Sequence, residues 1–449
     1  MIDSTIALDA ADLLTLHAPD IVELLNGEET EDAVALIGAL PLERAVEVFD
    51  DPSLDDACNL LAALPLDTAA TLLKGMSADR AADVIRDMPD PPRTALVRRA
   101  GAETAGELNR LLVYPEHTAG ALMTTEFVAV PSNWTIGRTL DHIRRVERTR
   151  ETVYAIYVYD PGTRQLLQAV SLRRVISGDP AAPVLSVAPS TDPITVTPLV
   201  DREDVARLIS RYDLLAVPVI DNDRHVIGIV TVDDVIDAMV AEATEDVQKF
   251  GGMEALDRPY MQISFLSMIK KRAGWLCALF LSEMLTASAM QGFEGELEKA
   301  IVLTLFIPLI MSSGGNSGSQ ATSLIIRALA LRQVRLRDWW RVALRELPAG
   351  ILLGAILGVI GIARIVLWQL LGFYDYGEHW MLVATTVGAA LVGIVTFGSL
   401  LGSMLPFLLQ RIGFDPASAS APFVATLVDV TGLVIYFSVA MVILRGTLL

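Results

Sequence analysis

The spacing of apolar positions divides the chain into a soluble half followed by a membrane half. In residues 21–120, Ala39–Ala45 is echoed by Ala63–Ala69, and related units follow. Each unit places a turn residue before one or two amphipathic helical turns, which predicts stacked short hairpins in a helical superhelix. We therefore expect an acidic helical domain over residues 1–120.

Residues 121–241 carry an α/β pattern that occurs twice. An apolar strand at Tyr154–Asp160 is followed by a second short strand and a helix. The same order recurs about sixty residues later, starting at Leu215–Asp221. The pattern predicts an internal repeat of strand, aspartate turn, strand and helix.

The last part of the chain is apolar enough to cross a membrane several times. We expect a connecting helix over residues 242–273 and a membrane domain over 274–449. Each predicted span reaches the ~20 residues that hydrocarbon requires. The predicted spans are residues 274–292, 299–326, 347–371, 381–409 and 418–443. The expected fold is therefore multidomain, α and α/β, with a polytopic α-helical membrane domain.

The charges are segregated in the same way. Residues 1–259 carry 44 acidic and 22 basic side chains, whereas residues 260–449 carry 10 and 13. An acidic soluble half suits cations and disfavours nucleic acid as a partner. Basic residues flank the first span and fill the loop between the second and third, so the N-terminal half should be cytoplasmic and the C-terminus outside. Met1–Asp20 lacks the pattern of a signal peptide, which agrees with that orientation.

Asp429 lies near the middle of the last apolar segment, where a carboxylate costs roughly 2.5–3.5 kcal/mol to insert. Ala425 and Gly432 share its helix face and would allow another helix to approach closely. This combination predicts a cation pathway along a helix–helix axis. The alternative is a carboxylate satisfied by a neighbouring Thr, Tyr or Arg. For Glu283, the other acid inside a span, function and helix packing have equal weight.

The second span contains a run of small and polar residues, Ser312–Gln320, which includes Gly314, Gly315, Asn316 and Gly318. We expect this run to interrupt the helix, because irregular backbone at membrane depth survives only against protein or a water-filled path. That hypothesis makes it a pore wall. A close-packed helix of small residues would explain the glycines but would leave Asn316 and Gln320 unexplained.

The soluble carboxylates form three clusters by spacing. Helix capping explains the cluster that opens a helix at Asp201. Asp79 and Asp83 lie one turn apart on one helix. Like charges at this spacing oppose a helix, so the longest cluster, which begins at Asp234, either holds a cation or forms a solvated face. The clusters are Asp79 with Asp83; Asp201 with Glu203 and Asp204; and Asp234 with Asp237, Glu242, Glu245 and Asp246.

Motifs for catalysis are absent from the sequence. The five histidines show no zinc-ligand spacing, and no phosphate-binding loop or nucleophile motif occurs. The two cysteines lie far apart, in different halves. The protein is therefore expected not to be an enzyme.

The order of parts and two motifs resemble the MgtE family of magnesium channels and transporters. The α/β repeat resembles a tandem CBS module. Gly314–Gln320 is similar to the family's second-span signature, and Gly413–Ala417 with Ala425–Gly432 to its last-span signature. The resemblance covers essentially the whole chain. It implies a homodimer in the lipid bilayer, with Asp429 of each subunit holding Mg²⁺ and the backbone near Ala425 facing the same path.

The resemblance also implies a cytoplasmic Mg²⁺ sensor that closes the channel when Mg²⁺ is plentiful. Some members bind ATP at the CBS pair, and here the ribose-contacting pattern is intact only as Thr231 with Asp234. The first copy has Ser171 and Arg174 instead. The positions matching the sensor are Glu47, Asp79, Asp83, Asp201, Glu203, Asp213, Asp234, Asp237, Glu242, Glu245 and Asp246.

Together these features predict a passive Mg²⁺ pathway in a cytoplasmic membrane, regulated by the ion it carries. A CBS-regulated anion channel would need basic pore residues, and the spans offer only Arg364. A membrane-tethered Mg²⁺ or nucleotide sensor without conduction would leave Asp429 unexplained. Conduction of Mn²⁺ or Co²⁺ stays open as a further alternative.

Overall fold

The computed structural model describes residues 13–147, 150, 152–256, 260, 261 and 263–448, and it divides into two compact units, residues 1–241 and 242–449. Residues 1–12, part of the stretch used to exclude a signal peptide, lie outside the described residues. Helices α1–α12 are Ala18–Leu25, Thr30–Ala39, Leu42–Asp50, Ala57–Ala63, Leu66–Gly75, Ala78–Arg86, Pro92–Ala100, Ala102–Leu112, Ala119–Leu122, Ile136–Val146, Leu172–Ser177 and Arg202–Tyr212. Helix α13 is Val232–Phe250, and strands β1–β5 are Val128–Pro131, Ala155–Tyr159, Leu166–Ser171, Ala216–Ile220 and Val226–Thr231. Helices α14–α19 are Phe265–Gly292, Glu294–Lys299, Ile307–Ala330, Trp339–Leu370, Trp380–Arg411 and Ala421–Ile443.

Helices α1–α8 form the predicted superhelix. Each of α1 to α6 packs against the helix two places further along, so that one apolar core runs through the stack. The repeated sequence units lie at the boundaries between successive helices. Leu40 and Leu64 are extended because each precedes a proline, which ends one helix and starts the next.

The α/β repeat forms the two predicted copies. In the first, β1 pairs in parallel with β2, and β2 pairs antiparallel with β3. In the second, β4 pairs antiparallel with β5, and a single bridge from Val196 to Val219 replaces the parallel strand. Asp160 and Asp221 each accept backbone hydrogen bonds within their hairpin turns, which explains an aspartate after the first strand of both copies.

The connecting segment differs from the expected helix over residues 242–273. Helix α13 starts at Val232, directly after β5, and continues without a break to Phe250. Gly252 then adopts a φ of +75°, a left-handed conformation that stops a helix. The basic cluster Lys270–Arg272 belongs to α14, which starts at Phe265.

Among the described residues of the second unit, five helical segments are long and apolar enough to cross a membrane, as the sequence predicted. They are Phe265–Gly292, Ile301–Ala330, Leu336–Leu370, Trp380–Arg411 and Ala421–Ile443. The protein is thus a multi-pass membrane protein.

The predicted break in the second span is wrong. Ser312–Gln320 lies within the continuous helix α16. A Cβ on Gly314 would press on Ile394 and Val428, and one on Gly318 would press on Val424 and the Gly398 carbonyl. The glycines therefore serve close packing of α16 against α18 and α19, as small residues do between membrane helices.

Glycines on α18 are expected to tolerate no side chain. A Cβ on Gly398 or Gly402 would overlap the carbonyl oxygen of Gly314 or Gly318 on α16. Gly398→Ala and Gly402→Ala should each cost about 1–3 kcal/mol by overpacking. Thermal unfolding in detergent would show a lower Tm for both. Gly274→Ala is the control, because nothing lies within 4 Å of the position that its Cβ would take; equal Tm values for all three variants would contradict this packing.

Candidate pore and cation-sensing sites

Asp429 lies in the middle of α19, half-buried within the single chain. One turn earlier, Ala425 faces α16, where a Cβ on Gly315 would stand 3.3 Å from the Ala425 Cβ. Small side chains on both helices therefore hold α16 and α19 close together beside the carboxylate. This brings the two sequence motifs to one place.

The Thr, Tyr and Arg side chains considered as partners of Asp429 make other contacts. Thr426 donates to the Pro422 carbonyl at 2.9 Å and Thr431 to the Leu427 carbonyl at 2.7 Å. Tyr436 donates to the carbonyl of Leu303 at 2.9 Å. Arg364 lies over the rings of Phe306 and Trp368. Among the residues that the structure describes, no donor is hydrogen-bonded to Asp429, so the carboxylate is available to a cation.

Helix α16 has two polar faces. One binds α18: the hydroxyls of Ser317 and Ser399 lie 2.7 Å apart, and Thr322 donates to the Gly402 carbonyl at 2.9 Å. The other face is a stripe at helical spacing that the chain leaves exposed, and it comprises Ser312, Asn316 and Gln320. Exposed polar groups at membrane depth need water, an ion or another subunit. This uncovered stripe accounts for the two polar residues that close packing left unexplained.

Glu283 lies at the depth of Asp429 on a neighbouring helix. Helices α14 and α19 meet near the start of α19, where the Trp275 indole donates to Ser420 at 3.2 Å and its ring lies near Phe423. Glu283 lies eight residues, or about 12 Å, further along α14 and is within electrostatic range of Asp429 in the middle of α19, so the two helices run parallel. The two carboxylates interact electrostatically, and Glu283 is exposed within the single chain.

In the first unit, the helical domain and the second copy of the α/β repeat bring acidic side chains together. Asp83 on α6 lies near Asp234 at the start of α13, and the two carboxylates repel each other. Burial raises the pKa of Asp83 to about 6 against the nearby charges of Arg86 and Arg80, which lower it, and the repulsion from Asp234 adds to the rise. Half of the Asp83 side chain is nevertheless exposed to solvent. Burial likewise raises the pKa of Asp234 to about 6, against a hydrogen bond from Thr231 that lowers it. A cation or a proton would stabilise this pair.

A second group of charges surrounds Asp237, one turn along α13. Burial raises the pKa of Asp237, and the nearby charges of Asp233 and Asp51 raise it further. Arg80 is the compensating cation, and it also donates to the Phe49 and Asp51 carbonyls. Asp79 lies within electrostatic range of Arg80. Sequence reasoning missed Asp51 and Arg80, because their approach to α13 depends on how the domains pack.

Four of the expected sensor residues have ordinary structural roles. Asp201 caps α12 by accepting from the Glu203 backbone at 2.8 Å, and Glu203 pairs with Arg207. Asp213 ends the same helix in a left-handed conformation, with φ of 53°. Glu47, on α3, is exposed and pairs with Arg44. A role as metal ligands stays a prediction for these four residues.

The remaining acids occupy the second half of α13, within the second unit. Glu242, Glu245 and Asp246 are each partly buried. Glu245 pairs with Lys249 at 2.5 Å.

The predicted nucleotide positions differ between the two copies of the α/β repeat. Thr231 donates to Asp234 in the second copy. In the first copy, Arg174 stands at the position that Asp234 occupies in the second, so a cation replaces the carboxylate that would contact a ribose. Its guanidinium donates instead to the Val187 carbonyl at 3.3 Å.

Comparison with known proteins gives matches along most of the chain. The family model MgtE, described as a divalent cation transporter, matches residues 307–439. The MgtE intracellular N domain matches residues 16–117, and the CBS domain matches residues 184–241.

Curated relatives cover similar extents. A magnesium transporter MgtE of Thermus thermophilus is 41% identical over 74% of this chain and 71% of its own length. One from Enterococcus faecalis is 33% identical over 75% of this chain and 71% of its own. A solved cytosolic domain of the Mg²⁺ channel MgtE in complex with ATP is 32% identical, with a TM-score of 0.49, covering 51% of this chain and 93% of that chain.

Acid should mimic a cation at the Asp83–Asp234 pair. Both pKa values rise on folding from 3.8 to about 6, so the contribution of this pair to stability is fully present below about pH 3.8 and is lost as the pH rises through about 6. Without divalent cations, the Tm of the first unit should therefore fall between pH 5 and pH 7.5. Mg²⁺ should restore it at pH 7.5 and add little at pH 5.

Asn variants separate this pair from a general pH effect. Asp83→Asn and Asp234→Asn should each weaken the dependence of Tm on pH, by an amount of order 2–4 °C per kcal/mol in a unit of this size. Asp192→Asn, at an exposed site, is the control. An unchanged pH profile in both test variants would contradict the assignment.

Proposed function

The chain belongs to the MgtE family of magnesium transporters, and we propose that it is a passive Mg²⁺ channel closed by cytoplasmic Mg²⁺. The observation that carries the proposal is Asp429, an intramembrane carboxylate without a hydrogen-bond donor among the described residues, on a helix packed through small side chains. A buried acid of this kind marks an ion pathway by default.

The chemistry of the site suits a hydrated Mg²⁺ ion. Mg²⁺ loses water reluctantly and is bound through one or two carboxylates while it keeps several waters. In a homodimer with the path on its two-fold axis, Asp429 from each subunit would supply such a pair. The exposed stripe of α16 would then line the path with neutral oxygen and amide groups that replace part of the bulk water. An inside-negative potential drives influx by about 2.3 kcal/mol per charge per 100 mV.

Cytoplasmic Mg²⁺ would act through the acids of the helical domain, the CBS pair and α13. Moving a gate from 1:99 to 99:1 takes about 5.5 kcal/mol. One site filled at ten times its dissociation constant supplies about 1.4 kcal/mol, so about four sites must act together. The pair Asp83–Asp234, the group at Asp237 and the acids of α13 offer enough carboxylates in two subunits. Closure should therefore be cooperative in Mg²⁺.

Regulation by ATP fits the second CBS copy only. Thr231 and Asp234 provide the hydroxyl and carboxylate that a ribose would contact, whereas Arg174 stands at the matching place in the first copy. A relative's cytosolic domain has been solved with ATP. We expect one nucleotide site for each chain, with the N-terminal half in the cytoplasm and the C-terminus outside.

The rival functions explain less. An anion channel would need a cation in the pathway, but Arg364 is held against aromatic rings. A sensor without conduction would not need Asp429 or the exposed polar stripe of α16. Transport of Mn²⁺ or Co²⁺ would use the same ligands, and a competition experiment with these ions tests it.

Asp429→Ala should abolish Mg²⁺ flux into liposomes that contain the purified protein, while insertion and Tm are kept. Loss of a costly intramembrane charge should not harm folding. The parent should admit Mg²⁺ and exclude Cl⁻. A decrease in Mg²⁺ flux on addition of Mn²⁺ or Co²⁺ would show that these ions compete for the same path. Glu378→Ala, in an exposed loop, is the control. Parental flux through Asp429→Ala would remove this residue from the pathway.

Changing Asp79, Asp83, Glu245 and Asp246 together to Ala should leave the channel open at Mg²⁺ concentrations that close the parent. These acids are the cation ligands in the proposed sensor, so Mg²⁺ should also cease to protect α13 from protease. The matched control changes four exposed acids of the helical domain, Glu23, Glu28, Glu43 and Glu103. Closure of the test variant at the parental concentration would mean that these acids form a solvated face.

A further inference from the structure

Lys249 joins the last turn of α13 to the segment that leads into α19. Its Nζ lies 2.7 Å from Asp415 Oδ2 and 2.5 Å from Glu245 Oε1. All three side chains are about one-quarter to one-third exposed, with 27% for Lys249, 26% for Glu245 and 36% for Asp415. Burial alone would lower the pKa of Lys249, but its hydrogen bonds to Asp415 and Glu245 outweigh burial and raise it. The ammonium thus stays charged and bridges the two carboxylates.

Asp415 is in turn fixed to the start of the last span. Its second oxygen, Oδ1, accepts from the Ala417 backbone at 2.8 Å and caps the short 3-10 turn Pro416–Ser418. That turn leads directly to α19 at Ala421. A displacement of Lys249 therefore acts on the backbone that positions α19.

A second contact lies beside the ion pair. Gly252, in its left-handed conformation, lies so close to Trp275 and Pro422 that an added Cβ would stand 2.8 Å from the indole ring. The same indole donates to Ser420, whose hydroxyl caps α19 by accepting from the Phe423 backbone. The chain that leaves α13 thus touches the beginning of α19 at two points, and only the first involves charge.

The ion pair and the pore carboxylate are carried by one continuous element. From Ala421 to Asp429 is eight residues of α-helix, or about 12 Å. Because a helix of this length moves as a rigid body, a shift at its first turn is passed on to Asp429.

We propose that Lys249 is a latch that makes α13 and the last span move together, so that cation binding along α13 reaches the pore through its ion pair with Asp415. This inference rests on the proposed function for its readout. Glu245 holds the ammonium from its own helix, one turn away, and Asp415 receives it on the membrane side. Neutralising either end should uncouple the pore from the sensor.

Lys249→Gln and Asp415→Asn test the latch in the full chain. Asparagine keeps an oxygen that can cap Ala417, so Asp415→Asn removes the charge and spares the turn. In the liposome assay, each variant should raise the Mg²⁺ concentration for half-closure at least tenfold or flatten the closure curve. Lys249→Arg, which keeps the charge, should close within about threefold of the parent. Arg411→Gln removes an exposed positive charge at the end of α18 and is the matched control.

A double-mutant cycle separates the ion pair from two independent effects. The Tm of the variant with both substitutions should fall no further than the Tm of the more strongly affected single variant, and its Mg²⁺ concentration for half-closure should shift no further either. Additive effects, or half-closure at the parental Mg²⁺ concentration in either single variant, would overturn the latch. If the parent itself carries no Mg²⁺, the proposed function fails, and the cycle in Tm still decides whether Lys249 and Asp415 are coupled.

Discussion

The membrane half depends on the distance at which α16 can pack against α18 and α19. Glycine carbonyls of α16 touch glycines of α18 where any Cβ would overlap, and Gly315 rests on Ala425 of α19. Between helices in lipid there is little hydrophobic driving force, so packing and interhelical hydrogen bonds hold them together. The same contacts turn Ser317 and Thr322 toward α18 and leave Asn316 and Gln320 on a different face. The chemistry beside Asp429 therefore follows from the positions of the glycines.

Each unit contains carboxylates whose negative charge is incompletely compensated. In one unit the carboxylate lies within a membrane helix, and in the other the carboxylates lie where two domains pack together. The hydroxyls of Thr426, Thr431 and Tyr436 on the same helix donate to backbone carbonyls, and no donor among the described residues is hydrogen-bonded to Asp429. Asp83 and Asp234 are crowded by two packed domains, and their raised pKa values express the cost of keeping both ionised. A cation would stabilise either site, so under the proposed function conduction and regulation would depend on the same ion.

Lys249 shows that compensation can also come from within the chain. Its ammonium satisfies Glu245 and Asp415 together, at a place where two elements of the second unit meet. An ion pair that is one-quarter to one-third exposed contributes little stability by itself. Its importance lies in geometry, because one partner belongs to α13 and the other caps the turn that starts α19.

The sequence by itself determined the division into soluble and membrane halves, the two repeats, the five spans and the isolated acid Asp429, because apolar length, periodicity and local charge are properties of neighbouring residues. Tertiary structure alone decided the rest. Ser312–Gln320 stays helical because α18 and α19 fill the space that its glycines leave. Arg80 and Asp51 join Asp237, and Lys249 meets Asp415 across 166 residues, because packing chooses which helices become neighbours. No local pattern encodes that choice, since each contact needs surfaces from distant segments to be complementary at once.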